Sequence, residues 1–205
     1  MSLVALSDYI ATFAASPLAG WTDAEPWQLT ARADAVVRGL LSSLDAEYVV
    51  SDEVAIHRSA VVESGAVLKG PLVVGPRAFV ATGAYLRGGN WLAEGCTVGP
   101  ACELKSSFVC AGSKLAHLNF VGDSIVGSRV NLEAGSIICN FRNERDDNEI
   151  LVRIGASIHR TGCTKFGALV GGDCRIGANA VIAPGALLPA GTVVPRTALL
   201  DQDAT

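Results

Sequence analysis

The stretch VLKGPLVVGPRAFVATGAYLRGGNWLAEGCTVGPACEL, residues 67–104, carries an aliphatic side chain at every sixth position: Leu68, Val74, Val80, Leu86, Leu92, Val98 and Leu104. The beat runs back through Val62 and Ile56 to Val50. Two places before each aliphatic residue sits a mostly small one, such as Val54, Ala60, Ala66, Ala78, Ala84, Cys96 or Cys102. A six-residue period matches neither a helix nor a simple hairpin array. It fits short parallel strands joined by tight turns, with the aliphatic residue and the small one pointing the same way because side chains alternate. Both are expected to face inward, and successive coils to stack like residue on like. Gly75, Gly99, Gly122, Gly127, Gly171 and Gly177 each directly follow an aliphatic step. They are expected to supply positive φ at the turns.

The beat returns at Val126, Leu132 and Ile138, and again at Val170, Ile176, Ile182, Leu188 and Val194. Between Leu104 and Val126 the steps are five, six, six and five, through Val109, Leu115 and Val121. A one-residue slip turns side chains to the wrong face unless the backbone adjusts. The two short steps bracket His117 in sequence and are expected to shape a site there. A second break spans about 140–165 and contains NFRNERDDNE, too polar to join a packed coil. It is expected to leave the solenoid as a loop.

Residues 1–47 lack the period. Val36, Val37, Leu40, Leu41 and Leu44 follow Pro26-Trp27 at helical spacing, and a second helix is expected within 3–15. The region reads as a helical cap over the first coil, residues 48–199 as the solenoid and 200–205 as a tail. Net charge is −4 with no basic run, so neither nucleic acid nor a membrane surface is the expected partner. The N-terminus has no cation before its apolar part, and no apolar run is long enough to span a bilayer. Six cysteines occur without a C-x-x-C pair and read as reduced, small apolar fillers. A cytoplasmic protein is expected.

His117 is the candidate general base, because an imidazole takes up a proton near neutral pH. Arg87 and Lys105 are cations outside the inward phase, suited to a phosphate. Glu103 adds a carboxylate, and Asn131 and Asn140 add amides suited to sugar hydroxyls. His57 and His159 follow inward residues and read as surface positions. A zinc site needs converging ligands that this spacing does not provide, so no metal is predicted.

YLRGG (85–89), CELKSSFVCAGSKLAHLNFVGDSIVGSRVNLEAGSIICN (102–140) and IGANAVIAPGALLPAGTVV (176–194) resemble the hexapeptide-repeat acyltransferases. Within them the likeness is to the acetyltransferase domain of bifunctional glucosamine-1-phosphate acetyltransferase / N-acetylglucosamine-1-phosphate uridylyltransferase. The resemblance implies a left-handed parallel β-helix, acetyl-CoA or another acyl-CoA as co-substrate, and a homotrimer with sites between chains. It implies an acyl transfer to an amino or hydroxyl group of a sugar phosphate or nucleotide sugar, with His117 as base. Arg87, Lys105, Glu103, Phe120, Asn131 and Asn140 fall on sugar-binding positions, and Ala168 and Pro184 near the CoA path. Phe120 and Phe141 stand where the family has tyrosine, so two hydroxyls are missing. Residues 1–47 hold no Gly-rich nucleotide motif, which leaves room for a separate nucleotidyltransferase chain as partner. The alternative reading is a non-catalytic trimeric β-helix that binds a sugar nucleotide or scaffolds such a chain.

Overall fold

A computed structural model describes residues 2–203. Met1, at the start of the expected cap, and residues 204–205 of the expected tail lie outside the described residues. The chain winds into the parallel β-helix that the period implies, left-handed as the resemblance implies, with three sheets of eight, seven and seven strands forming the faces of a prism. The first face comprises Tyr48–Ser51, Val54–His57, Leu72–Val74, Asn90–Leu92, Phe108–Val109, Ile125–Val126, Ala168–Val170 and Ala186–Leu188. The second begins at Val61–Val62 and the third at Val67–Leu68. Step residues stack in register: Leu86 pairs with Leu104, Leu104 with Val121 and Val121 with Ile138. From Val74 to Val194 these side chains are at most 3% exposed, so the interior is one continuous aliphatic column.

Three sequence expectations need correction. Val50 is not an inward step residue: Tyr48–Ser51 runs antiparallel to Val54–His57, and Val50 is 54% exposed. The glycines that follow step residues do not have positive φ; the left-handed corner residues are mostly others, including Arg77, Ala101, Leu118 and Asn179. Glycine is required by the next coil instead. A Cβ on Gly75 would lie 2.6 Å from the Leu92 carbonyl oxygen, and one on Gly99 only 1.7 Å from that of Ala116.

The N-terminal region is the third correction. It contains helices Leu6–Tyr9, Pro26–Ala31 and Ala33–Leu41. It lies along the outside of the first face rather than over the open end. Ala33–Leu41 packs on Leu72–Val74 and Asn90–Leu92, while the Tyr9 carbonyl accepts from Gly172 N–H several coils further on. The cause is written in the outward positions of that face. Ala55, Val73, Trp91, Phe108, Ile125, Leu169 and Leu187 are all apolar and at most 8% exposed. Each large one contributes about 1.5–3 kcal/mol when covered, which drives the amphipathic segment onto this face.

Residues 140–167 leave the solenoid as expected, but not as a bare loop. They carry an antiparallel hairpin, Leu151–Ile154 with Ser157–Arg160, and bury Ile150, Val152 and Phe166. Phe166 meets Trp27 edge-on at 6.0 Å. Arg142, within the polar run, is only 2% exposed and donates to both Asp201 oxygens at 2.7 Å and to the Pro184 carbonyl at 3.0 Å. Gln202 then uses its side-chain amide to bond both N–H and C=O of Leu187, closing the last strand of the first face.

Candidate functional site

Both short steps and the excursion fall on one edge of the prism, where the third face turns into the first. The full corner between Leu86 and Leu92 uses two left-handed residues, Gly88 and Gly89. The short corners use one each, Ser106 (φ 48°) and Asp123 (φ 46°). The deletion is absorbed in the turn, so the inward phase survives. A buried ladder satisfies the tightened backbone: Asn90 Oδ1 accepts from Ser107 N, Ser107 Oγ from Ser124 N and Ser124 Oγ from Ala168 N. His117 sits on the opposite edge, at a corner that keeps its six-residue step. The slips therefore do not place the imidazole; they place Lys105 and Asp123.

On the third face, Tyr85–Arg87, Glu103–Lys105 and Phe120–Gly122 lie side by side, with Leu86, Leu104 and Val121 inward. Alternation sends the flanking residues outward. Arg87 donates through Nε (2.9 Å) and Nη2 (2.6 Å) to Glu103 Oε1. Lys105 Nζ donates to both oxygens of Asp123 at 2.8 Å, and Asn140 Nδ2 donates to the same carboxylate. Gly122 makes room for this closure, because a Cβ there would lie 2.7 Å from Asn140 Nδ2 and 2.8 Å from the Phe120 ring.

Beside Lys105 and Asp123 opens a cleft of about 500 Å³. Its walls are Thr30, Ala31, Ala33 and Asp34 of the N-terminal helices, Gly88 and Ser106 of the corners, and residues 162–165 of the excursion. Lys165 reaches over the Phe141 ring at 4.0 Å. Burial pushes the Cys163 thiol above its ordinary value, which disfavours the thiolate at this wall of the cleft.

The structure thus brings Arg87, Glu103, Lys105, Phe120 and Asn140 onto one face. His117 is exposed at the far end of that face, on a corner made by left-handed Leu118 (φ 58°). Among the described residues its imidazole has no hydrogen-bond partner, while its carbonyl accepts from Gly135 N–H at 2.9 Å. Asn131 lies round the corner on the second face, between Lys114 and Arg175. Ala168 faces the solenoid interior, with its N–H given to Ser124 Oγ, and the Pro184 carbonyl is taken by Arg142. Sequence reasoning missed Asp123, although it stands inside the G-D of the quoted motif. Its signal is position: it follows a step residue by two at a shortened corner, where a left-handed Asp is tolerated.

The chain is 31% identical over 189 residues to the bifunctional sugar-1-phosphate nucleotidylyltransferase/acetyltransferase of Sulfurisphaera tokodaii, covering 89% of this chain and 47% of that protein. The chain is a hexapeptide-repeat β-helix protein and a homologue of such bifunctional proteins. It is also 38% identical over 115 residues to the bifunctional protein GlmU of Carboxydothermus hydrogenoformans, covering 56% of this chain and 24% of that one. This hexapeptide-repeat chain spans about half or less of the length of these curated relatives. Among solved structures, the acetyltransferase domain of PglB from Neisseria gonorrhoeae aligns over 80% of this chain and 65% of that one, at 19% identity and a TM-score of 0.44. No family model matches the chain.

Proposed function

We propose that the chain is an acyl-CoA-dependent acyltransferase, with acetyl the expected group, acting on an amino or hydroxyl group of a sugar phosphate or nucleotide sugar. One observation carries this reading: among the described residues the third face joins the Arg87–Glu103 and Lys105–Asp123 pairs at one edge to the His117 imidazole, exposed and without a hydrogen-bond partner, at the other. An anionic sugar held by Arg87 and Lys105 would lie across Glu103 and Phe120 toward His117. The acceptor nitrogen or oxygen attacks the thioester carbonyl, the new N–C or O–C bond forms and the C–S bond breaks. His117 takes the acceptor proton and the CoA sulfur leaves as thiolate, to be protonated in turn. A homotrimer would set the second face of one copy, with Asn131, beside the third face of the next. Exposed Leu118 (65%), Val193 (54%) and Leu199 (70%) support such contacts.

The test follows thiol release from acetyl-CoA and longer acyl-CoAs with amino sugars, sugar phosphates and nucleotide sugars. His117→Ala is expected to lower kcat ~10²–10⁴-fold with the fold intact; an unchanged kcat removes His117 from the mechanism. Sedimentation measures the trimer directly.

A second reading, a non-catalytic trimer that binds a sugar nucleotide or scaffolds a nucleotidyltransferase, is favoured by one observation. The backbone groups of Ala168 and Pro184, the positions expected near CoA, are already bonded within the chain. A melting-temperature scan separates the two, since a ligand at 100 times its Kd adds ~2.7 kcal/mol. No shift with CoA and no thiol release on any acceptor would favour the binding protein.

A further inference from the structure

The cations of the third face do not stop at Arg87. Lys69 follows step residue Leu68, Arg87 follows Leu86 and Lys105 follows Leu104; Lys69 N–H bonds to the Leu86 carbonyl, and Lys105 pairs with Arg87 in the ladder. The three side chains therefore leave the same outer position on three consecutive coils. Adjacent strands lie about 4.8 Å apart, a spacing on the scale of two linked phosphates. Lys69 Nζ sits 5.2 Å from the Tyr85 ring centre and the Arg87 guanidinium 5.7 Å from the same ring, which gathers both cations over one aromatic side chain.

Charge distinguishes Lys69 from the other two. Arg87 is matched by Glu103 and Lys105 by Asp123, whereas Lys69 is exposed and has no carboxylate partner among the described residues. Without Lys69 the column is neutral. With it, the column carries one surplus positive charge at the end away from the cleft, and arriving phosphates can draw Arg87 and Lys105 from their carboxylates as bridging ligands.

We infer that Lys69, Arg87 and Lys105 form one ladder for a diphosphate ester, so that the ligand of the third face carries two linked phosphates rather than a single one. This rests on the reading of that face as the acceptor site. Both a nucleoside-diphosphate-linked sugar and CoA itself carry that chemistry, and the ladder is the same for either.

Calorimetric titration with inorganic pyrophosphate and inorganic phosphate tests the ladder. Pyrophosphate is expected to bind at least about tenfold tighter than phosphate. Lys69→Met is expected to lower pyrophosphate affinity about tenfold, the scale of one lost charged contact, and Lys69→Arg to restore it. Arg58→Met, which removes an exposed cation at the corner between the first and second faces, serves as the control for net charge. Equal affinity for the two anions, or equal loss in Lys69→Met and Arg58→Met, overturns the ladder.

Competition then separates the sources. Lys69-dependent displacement of pyrophosphate by UDP but not CoA assigns the diphosphate to the acceptor. The reverse, with pantetheine inert, assigns it to the acyl donor; displacement by neither overturns the proposal. Thiol release that His117→Ala abolishes while Lys69→Met leaves every KM unchanged refutes the ladder and keeps the acyltransferase. Lys69-dependent pyrophosphate binding without thiol release on any acceptor keeps the ladder and refutes the acyltransferase.

Discussion

The first and third faces share one interior and differ in everything outside it. Their inward residues are the same aliphatic column, yet the first face turns Val73, Trp91, Phe108, Ile125 and Leu169 outward, and the third turns out Tyr85, Arg87, Glu103, Lys105 and Phe120. The first is covered by the N-terminal segment and is apolar on both sides, as a doubly packed sheet must be. The third remains open and carries ion pairs. In a solenoid the inward positions specify the coil, and the outward positions specify what each face meets.

Substitutions on matched positions break or sharpen that contrast. Phe108→Ala on the first face should cost about 3–5 kcal/mol of stability, the range for a buried aromatic in a core, read by denaturant unfolding. Gly99→Ala comes next, at about 1–3 kcal/mol, because its Cβ would collide with the Ala116 carbonyl; Gly20→Ala, with nothing within 4 Å, should not share that loss. Phe120→Ala, beside Glu103 on the third face, should cost under about 1 kcal/mol in the isolated chain. A loss equal to that of Phe108 would show that the third face is covered in solution.

Smaller effects follow from the ion pairs. Arg142 hydrogen-bonds Asp201 and holds its carboxyl below the usual range. The folded value is depressed, so the stability it confers is complete above the unfolded carboxylate pKa of about 3.9 and is lost as pH falls through the folded one. Melting temperature against pH should therefore fall more steeply at acid pH in the native protein than in Asp201→Asn. Glu103→Gln, at a pair whose side chains are 36% and 33% exposed, should change stability by under about 1 kcal/mol. A larger change would mean that the pair is desolvated by something outside this chain.

Much of this was legible in the sequence. The six-residue period defined the solenoid, its interior and even the two short corners. The location of the N-terminal segment was also present, in the apolar outward run from Val73 to Leu187, but it shows only when positions one before each step residue are read face by face. The role of the step-following glycines was not legible, because contact between coils is invisible to a rule about single-residue φ. Arg142 misled for a similar reason: in NFRNERDDNE it reads as solvated, and only Asp201, far along the chain, makes its burial affordable. For the site, residue types and the resemblance named the candidates, while the face on which five of them meet and the edge to which the deletions belong required the register.

A stack of like coils has no natural height: each coil offers its neighbour the same row of hydrogen-bonding groups, and another could always be laid on top. On the first face the strand Tyr48–Ser51 turns back antiparallel at one margin, and the amide of Gln202 takes both groups of Leu187 at the other. One reversed strand and one side chain thus close the two margins of the first face, which the third face, ending at Leu199–Leu200, does not share.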